Sequence, residues 1–447
     1  MGPRNLLFSK MYPASVVIMP MTMIERIIAA HSKEEVAPGR IVWMDLDIRS
    51  ARDFGGANVV KNFEENYPGE KVHDVNKTFF TFDCNVPANN IPYANNQQIS
   101  RVFARKQGIR VFDVDRGIGS HVDIEEGLAL PGTTVVGTDS HLNIMGAIGA
   151  FGQGMGDQDI AFAFRAGKTW FEVPESMRVE IHGTPPKDVT AKDITLALNG
   201  KLGASGALGK SMEIYGPAID KMGLPGRITL ASMATEMGAI ISLIPPNKAV
   251  LDFCTKKAKR SGRSFKASYA DKGAAYTETI ELDISDLRPK ISKPPKPENV
   301  ADVASVGDVK VDSVFIGSCT NGTYEDMLEV VKLAKGRKVA EGVMAKVQPA
   351  TKETYSRLLK EGKIKVLYDA GFIIINPGCG GCASGQVGMT GKGEVQVTTG
   401  NRNFAGKQGD GLTYLASPAT AAASAILGKI STADRLPKVR KGKKGGA

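Results

Sequence analysis

Three cysteines in two loops have the spacing of a metal centre. Cys319 follows a predicted strand and precedes a predicted helix, while Cys379 and Cys382 lie in a glycine-rich loop after another predicted strand. Helix N-termini stabilise thiolates, and glycine lets the backbone approach an inorganic group closely. If the two strands are neighbours in a sheet, the three thiolates meet at one point. A 4Fe–4S cluster held by three cysteines leaves one iron open to act as a Lewis acid.

The same cysteine spacing is compatible with simpler structures. The CxxC pair could be a turn unrelated to a distant, buried Cys319, and a zinc site would want a fourth Cys or His close in sequence. Cys254 is expected on a helix face in a structural role. Nucleotide-binding motifs are not indicated, because Phe162 and Asp157 stand where a P-loop and a dinucleotide-binding loop require glycine.

The elements that must position these cysteines alternate between strands and helices. A first helix is predicted around Ile24, opened by a capping box from Thr22 to Glu25. Further strands are predicted at 41–48, 78–82, 109–112, 134–136, 311–316 and 372–375, with helices at 159–166 and 323–334. This alternation favours an α/β fold with a mixed or parallel sheet covered on both faces.

Length and composition fit an ordinary enzyme of two to four domains. The 447 residues are 42% hydrophobic, and no apolar run approaches the ~20 residues that span a bilayer. The net charge is +10, and five of the positive side chains lie in the tail between Lys438 and Lys444. Five cysteines over this length favour a reducing compartment. We expect a cytoplasmic protein, or an organellar one if its N-terminal extension is a targeting segment.

One Pro/Lys-rich segment divides the chain. Residues 288–300 cannot continue a helix and favour extended backbone, so they predict a linker. The expected organisation places the cluster cysteines in the third domain. Its other parts are an N-terminal extension at 1–20, α/β domains at 21–174, 175–287 and 301–435, and a basic tail at 436–447.

Several ordered motifs resemble the aconitase family. The segments 317–326, 379–382 and 401–407 resemble its cluster-binding and anion-binding motifs, and 136–141 resembles its catalytic segment. The ending at 414–423 resembles the large subunits of the split 3-isopropylmalate dehydratase and homoaconitase members. The resemblance implies three aconitase-like α/β domains packed around a 4Fe–4S cluster with one open iron. Its ligands would be Cys319, Cys379 and Cys382.

The resemblance also implies roles for single residues. Asp139 and His141 would form a carboxylate–histidine pair that manages protons. Glu236 would pair with a further catalytic histidine, for which we expect His121, although isopropylmalate dehydratase spacing would place Ser120 there. Asp83 is the remaining expected catalytic residue. The expected substrate contacts are Ser140, Cys84, Asn401, Lys407 and Arg402, the last as a carboxylate clamp.

Three positions depart from the family's pattern. Cys84 stands where the family has a histidine after Asp83, and a thiol is not an equivalent proton carrier. Met44 stands where the family usually offers Gln or His to the substrate. Lys407 replaces an arginine, which keeps the charge but loses the planar bidentate geometry. These changes predict cluster binding beside an altered pocket, with a different substrate or a variant proton route.

The function that this resemblance implies is a hydro-lyase acting on a substituted malate of the 3-isopropylmalate type. Homoaconitate and dimethylmalate or methylmalate are the alternatives. The roughly forty residues after the anion motif are too few for the family's swivelling fourth domain, so we expect a small subunit that carries it. Two other classes stay open: a cluster-sensing RNA-binding regulator, and a four-cysteine electron carrier using Cys84 or Cys254. Membrane contact is not expected, and nucleic-acid contact through the basic tail is the less favoured interpretation.

Overall fold

The computed structural model describes residues 19–382 and 387–439. The predicted extension and basic tail lie almost wholly outside these residues. The first helix, Met23–His31, begins at the predicted capping box: the Glu25 carboxylate accepts the Thr22 backbone N–H at 2.7 Å. Ile24, Ile27 and Ile28 of this helix are buried, as the apolar spacing predicts.

The first sheet has five parallel strands. Helix Gly56–Asn66 packs against helices Ile91–Gln107 and Asp157–Ala166, and helix Gly119–Glu125 follows the edge strand. The predicted strand at 41–48 is two strands in different sheets, because Ile41–Asp45 pairs antiparallel with Lys168–Glu172 in a separate ribbon. The order of the five strands is Arg110–Phe112, Thr78–Thr81, Ile48–Arg52, Thr134–Gly137, Phe151–Gly154.

The second sheet has four parallel strands. Cys254 is buried on the helix Lys248–Ser261, as its structural role requires. The other helices of this part are Ala191–Leu202, Pro217–Asp220 and Leu224–Met233. The strand order is Ile241–Leu243, Ser211–Tyr215, Ser176–His182, Thr279–Asp283.

The third sheet has seven strands, of which the first two run antiparallel to their neighbours and the rest are parallel. Helix Tyr324–Ala334 begins at a capping box formed by Thr323 and Asp326, as predicted. The other helices are Ser318–Asn321, Lys352–Lys360, Lys363–Ala370 and Pro418–Leu427. The strand order is Val300–Asp302, Lys290–Ser292, Leu412–Ala416, Val395–Thr398, Ser313–Ile316, Met344–Val347, Ile373–Ile374.

The predicted linker at 288–300 takes part in this third sheet. Its extended backbone forms the strand Lys290–Ser292, in which Ile291 and Ser292 pair with Ala416 and Leu415. Extended backbone is what the prolines favour, and here it is used for sheet pairing rather than for a free connection. The domain boundaries stay predictions.

The three sheets share cores and backbone contacts. Val135 of the first sheet and Met177 of the second belong to one buried apolar cluster. The third sheet docks on the first through backbone hydrogen bonds, of which one joins Cys379 N to the carbonyl of Asp83 at 2.8 Å. Short 3-10 helices complete the fold at Leu142–Ile148, Ala234–Met237, Val303–Ser305, Gly380–Cys382 and Ala433–Arg435.

The expected α/β fold with parallel sheets is confirmed. None of the helices in the described part of the chain combines the length and the apolar character that a membrane span requires. Ligands of open α/β sheets bind outside the carboxyl ends of the strands. Arg52, Asp83 and Asp139 lie at that edge of the first sheet, and Cys319 lies at that edge of the third.

Candidate active site

The three predicted cluster cysteines come together at the edge of the third sheet. Cys319 lies in the short helix that follows the strand Ser313–Ile316, and Cys379 and Cys382 follow the strand Ile373–Ile374. All three are buried. Burial raises the pKa of Cys319, and together with the neighbouring Asp139 and Cys382 it brings that pKa to about 12. The two loops therefore bring three enclosed thiols within electrostatic reach of one another.

The backbone around these cysteines is held in unusual conformations. Ser318, just before Cys319, has a φ of 74°, and it is the one non-glycine residue with positive φ in the described part of the chain. Its hydroxyl lies 2.7 Å from that of Thr320. Gly380 has a φ of 47°, and a Cβ there would lie 1.3 Å from the Gln348 side-chain oxygen. Glycine is therefore required at 380, and Ser318 adopts a conformation that is costly for a residue with a Cβ.

Polar donors surround the thiols. The Arg52 guanidinium donates to Cys379 Sγ at 3.0 Å through Nη2. Cys319 Sγ lies 3.4 Å from Ser232 Oγ and 3.6 Å from Asn401 Nδ2. Donors directed at sulfur stabilise thiolates and so favour their use as metal ligands.

Arg52 also joins two of the predicted catalytic carboxylates. Its Nε donates to Asp83 Oδ1 at 2.7 Å, and its Nη1 donates to Asp139 Oδ1 at 3.0 Å. Burial raises the pKa of Asp83 to about 6, although Arg52 opposes that rise. Burial also disfavours ionisation of Asp139, but Arg52 and His141 outweigh it and hold the pKa of Asp139 below its usual range. The two carboxylates therefore differ in their readiness to carry a proton.

His141, Glu236 and Arg402 form a second charged cluster. His141 Nε2 lies 2.8 Å from Glu236 Oε1, and Arg402 Nε donates to the same oxygen at 2.7 Å. Burial would raise the pKa of Glu236, but His141 and Arg402 outweigh it and lower that pKa. Ser140 Oγ lies 3.3 Å from His141 Nδ1. The sequence interpretation expected Glu236 to pair with a histidine, and the histidine in contact with it is His141.

His121 occupies a different place from the one expected for a partner of Glu236. Its Nε2 lies 2.8 Å from the backbone carbonyl of Cys319. Burial lowers the pKa of His121 below its usual value. The imidazole also lines a cavity of about 230 Å³ together with Glu125 and Lys257. Ser120, the alternative for the family position, is buried on the same helix, so the choice between the two stays a prediction.

Cys84 lies beside Asp83 in a loop whose backbone donates hydrogen bonds to the Asp53 carboxylate. Asp53 accepts the backbone N–H groups of Asp83 at 3.1 Å, Cys84 at 2.9 Å and Asn85 at 3.2 Å, and the Gln97 amide at 3.1 Å. Ligand atoms of Asp53, Asp83 and Cys84 lie within 4.8 Å of one another. Because the oxygens of Asp53 already accept four hydrogen bonds, we assign this group to loop structure rather than to a metal ion.

The two other departures from the family pattern lie in different surroundings. Met44 is fully buried in an apolar core with Phe80 and Val136. The position at which the sequence interpretation placed the family's Gln or His therefore lies in this core. Lys407 is half-buried, and its ammonium lies 5.9 Å from the centroid of the Phe404 ring. Lys407 stays a predicted substrate contact.

The chain matches known proteins over most of its length. The family model described as "Aconitase family (aconitate hydratase)" matches residues 25–310 and 303–428. The chain belongs to the aconitase family. Membership of this family implies an iron–sulfur cluster.

Several curated relatives match almost end to end. The 3-isopropylmalate dehydratase large subunit 1 of Methanopyrus kandleri is 42% identical over 92% of this chain and 99% of its own length. The protein of the same name from Archaeoglobus fulgidus is 40% identical over 92% and 99%. The probable methanogen homoaconitase large subunit of Methanothermobacter thermautotrophicus is 40% identical over 93% of this chain and 98% of its own length.

The residues of this aconitase-family chain suit an iron–sulfur group at the three cysteines. The thiols are enclosed and face donors, as a cluster requires. Asp139 Oδ2 is buried without a hydrogen-bond partner among the described residues, which is consistent with a group bound beside it.

Sequence reasoning missed three residues of this site. Arg52 is the last residue of its strand. The sequence feature that could have identified it is the charged pair Arg52-Asp53 at the carboxyl end of a buried strand, where ligands of α/β sheets bind. Ser232 gave no signal, because a serine within a helix is ordinary. Lys192 is fully buried, and its ammonium donates to the carbonyls of Thr399 and Gly400 at 3.0 and 2.8 Å, which fixes the loop before Asn401.

Proposed function

We propose that this chain is the large subunit of a 4Fe–4S hydro-lyase that acts on a substituted malate of the 3-isopropylmalate type. The observation that carries the proposal is the placement of three buried thiols beside two clusters of paired charges. The first group of paired charges contains Arg52, which donates to Cys379 Sγ. The second contains His141 and Glu236, and Asp139 links the two groups because its carboxylate accepts a hydrogen bond from the His141 backbone N–H at 3.0 Å. The dehydratase large subunits at 40–42% identity support the assignment.

Cys319, Cys379 and Cys382 would hold the cluster. When bound, a cluster with three protein ligands supplies one open iron, which acts as a Lewis acid on the hydroxyl that leaves. Asn401 supports this site, since its amide contacts both Ser232 Oγ and Cys319 Sγ. A four-cysteine electron carrier would have no open iron, so it is the poorer match to a site lined with acid, base and anion-binding groups.

Arg402 and Lys407 would hold substrate carboxylates. Arg402 keeps Nη1 and Nη2 for a substrate while its Nε donates to Glu236, and a guanidinium matches a carboxylate with two parallel hydrogen bonds. Lys407 lies five residues further along the same loop and contributes a point charge. Two cations in one loop suit a dicarboxylate.

The His141–Glu236 pair would manage protons on the oxygen side. His141 can donate a proton to the leaving hydroxyl, and Glu236 stabilises the protonated imidazole. Asp83, whose pKa is raised to about 6, can exchange protons near neutral pH, while Asp139 stays ionised. Ser140, next to His141, and Cys84, next to Asp83, would contact the substrate.

A small subunit would complete the site. The matching relatives carry the words "large subunit" in their names. We propose that the partner contributes the swivelling domain and the base that removes the proton from carbon. A relative named as a homoaconitase at 40% identity makes homoaconitate the second candidate substrate, and dimethylmalate and methylmalate follow because of the departures at Cys84 and Lys407.

The test is anaerobic reconstitution of the cluster in the chain, co-purified with its small subunit, followed by a screen of substituted malates for absorbance of the unsaturated product. We expect turnover of 3-isopropylmalate or one of the three alternatives, and its loss in Arg402→Ala. Arg435→Ala, which removes an arginine from a distant 3-10 helix, is the matched control. An intact cluster with no turnover of any substituted malate would overturn the enzymatic proposal, and RNA binding by the cluster-free chain would favour the regulator.

A further inference from the structure

Arg52 stands at the centre of the site and donates in three directions. It is the last residue of the strand Ile48–Arg52, and its side chain is 12% exposed. Its Nε contacts Asp83, its Nη1 contacts Asp139 and its Nη2 contacts Cys379 Sγ, at 2.7, 3.0 and 3.0 Å. One guanidinium therefore joins two strands of the first sheet to a cysteine loop of the third.

The charges around Arg52 are mainly negative. Burial would lower the pKa of this guanidinium, but Asp139 and Asp83 outweigh burial and raise it well above its usual value. Burial raises the pKa of the neighbouring Cys84 thiol well above its usual value, so the thiol is neutral. Arg52 is thus a permanent positive charge, and it does not exchange protons during a reaction.

We propose that Arg52 is a positioning residue that fixes Asp83 and Asp139 and sets the reduction potential of the cluster through its hydrogen bond to Cys379. The inference rests on the proposed function, since it requires a cluster at the three cysteines. Hydrogen bonds and positive charge near a ligand sulfur stabilise the reduced, more negative cluster and raise its potential. A fork of rigid donors can hold three partners at once, whereas a lysine ammonium at the same place reaches fewer of them.

The chain offers a matched control in the same strand. Arg49 is fully buried and, unlike Arg52, donates to the carbonyls of Leu46 and Asp74 and to Thr78, away from the cysteines. Arg49→Gln removes a buried guanidinium and should destabilise the fold without touching the cluster surroundings.

The experiment compares the reconstituted wild-type chain with Arg52→Gln, Arg52→Lys and Arg49→Gln. The potential is measured by anaerobic redox titration followed by electron paramagnetic resonance, and folding is checked by thermal unfolding. We expect a more negative potential in Arg52→Gln, a smaller shift in Arg52→Lys, and the wild-type potential in Arg49→Gln despite a lower melting temperature. In the complex with its small subunit, Arg52→Gln should lose about 10–100-fold in kcat.

Each outcome separates the two proposals. If Arg52→Gln does not fold, Arg52→Lys decides, because it keeps a charge and still loses the fork. A wild-type potential in the folded Arg52 variants would overturn the role of Arg52 and leave the proposed function standing. A wild-type chain that binds no cluster would overturn the proposed function itself.

Discussion

His141 Nε2 and Glu236 Oε1 lie 2.8 Å apart at the junction between the first and second sheets. The same carboxylate oxygen accepts a hydrogen bond from Arg402 of the third sheet's loop at 2.7 Å. One oxygen atom therefore couples the residue proposed to handle protons to the residue proposed to bind a substrate carboxylate. If these roles hold, a change at Glu236 should alter proton transfer and substrate binding together.

Glu236→Gln should lower kcat by about 10²–10⁴-fold. The amide loses the negative charge that stabilises protonated His141, and it binds Arg402 less strongly, so KM should rise as well. Steady-state kinetics of the complex give both values. Glu213→Gln is the control, because Glu213 is a buried carboxylate that accepts from Tyr215 and Tyr276 at 2.7 and 2.8 Å and has no place in the site. Equal kcat values for the two variants would refute the assigned role of Glu236.

Replacement of any one of the three cluster cysteines by serine should abolish stable cluster binding. Each thiol is one of three ligands, and a serine hydroxyl does not ionise to replace a thiolate. Iron and sulfide content and visible absorbance after anaerobic reconstitution measure the effect.

Cys254→Ala and Cys84→Ala are the controls for the cysteine series. Cys254 is buried in an apolar core on the helix Lys248–Ser261, and both variants should retain the cluster. Loss of the cluster in either variant would support a fourth cysteine ligand and contradict an open iron.

Ser318 allows a direct test of backbone strain beside the cluster. Its φ of 74° is costly for a residue with a Cβ. Ser318→Gly and Ser318→Ala both lose the hydroxyl contact with Thr320, but only the glycine variant removes the strain. The glycine variant should be about 1–2 kcal/mol more stable than the alanine variant. Urea unfolding of the cluster-free chain measures the difference, and equal stabilities would show that the conformation is not strained.

Asp123 makes stability depend on pH. Burial raises its pKa to about 8, with Asp139 and Asp83 adding to the effect, and its Oδ1 lacks a hydrogen-bond partner among the described residues. The folded chain therefore keeps a proton here that the unfolded chain releases near its usual pKa of 3.8. The stabilising contribution is complete below that value and is lost as the pH rises to about 8.

Asp123→Asn removes this titration. The unfolding free energy of this variant relative to that of the wild type should rise steadily between about pH 5 and about pH 8, where the wild type loses the stabilising contribution of the Asp123 proton. Above about pH 8 the difference should level off. Urea titrations at several pH values measure it. A constant difference across that range would show that the Asp123 carboxyl is ionised in the fold.

Much of the fold followed from local patterns. The capping boxes at Thr22 and Thr323 marked helix starts, because a side chain three residues away satisfies the free backbone N–H groups. The stretch at 41–48, rich in strand-forming residues, gave the wrong element count, since a break at Leu46 and Asp47 separates two strands that belong to different sheets. Periodicity within one stretch carries no information about which sheet a strand joins.

The site was predicted in part. Motif resemblance named the three cysteines, and it named His141, Glu236 and Arg402, which lie in hydrogen-bond contact. It paired Glu236 with His121 instead of His141, and no motif marked Arg52. Arg52 contacts Asp83 and Asp139 only because the sheet places their strands on either side of its own. Such contacts cannot be deduced from residues that are neighbours in the sequence.

The Arg52–Cys379 hydrogen bond spans 327 positions of the chain, and the Glu236–Arg402 pair spans 166. Contacts between such distant segments form late, because loop closure must be overcome before they stabilise anything. A ribosome-bound chain that has emerged only as far as Cys319 holds one of the three sulfurs and lacks Arg402. A cluster bound at these three cysteines would therefore be assembled only after Cys382 has been synthesised.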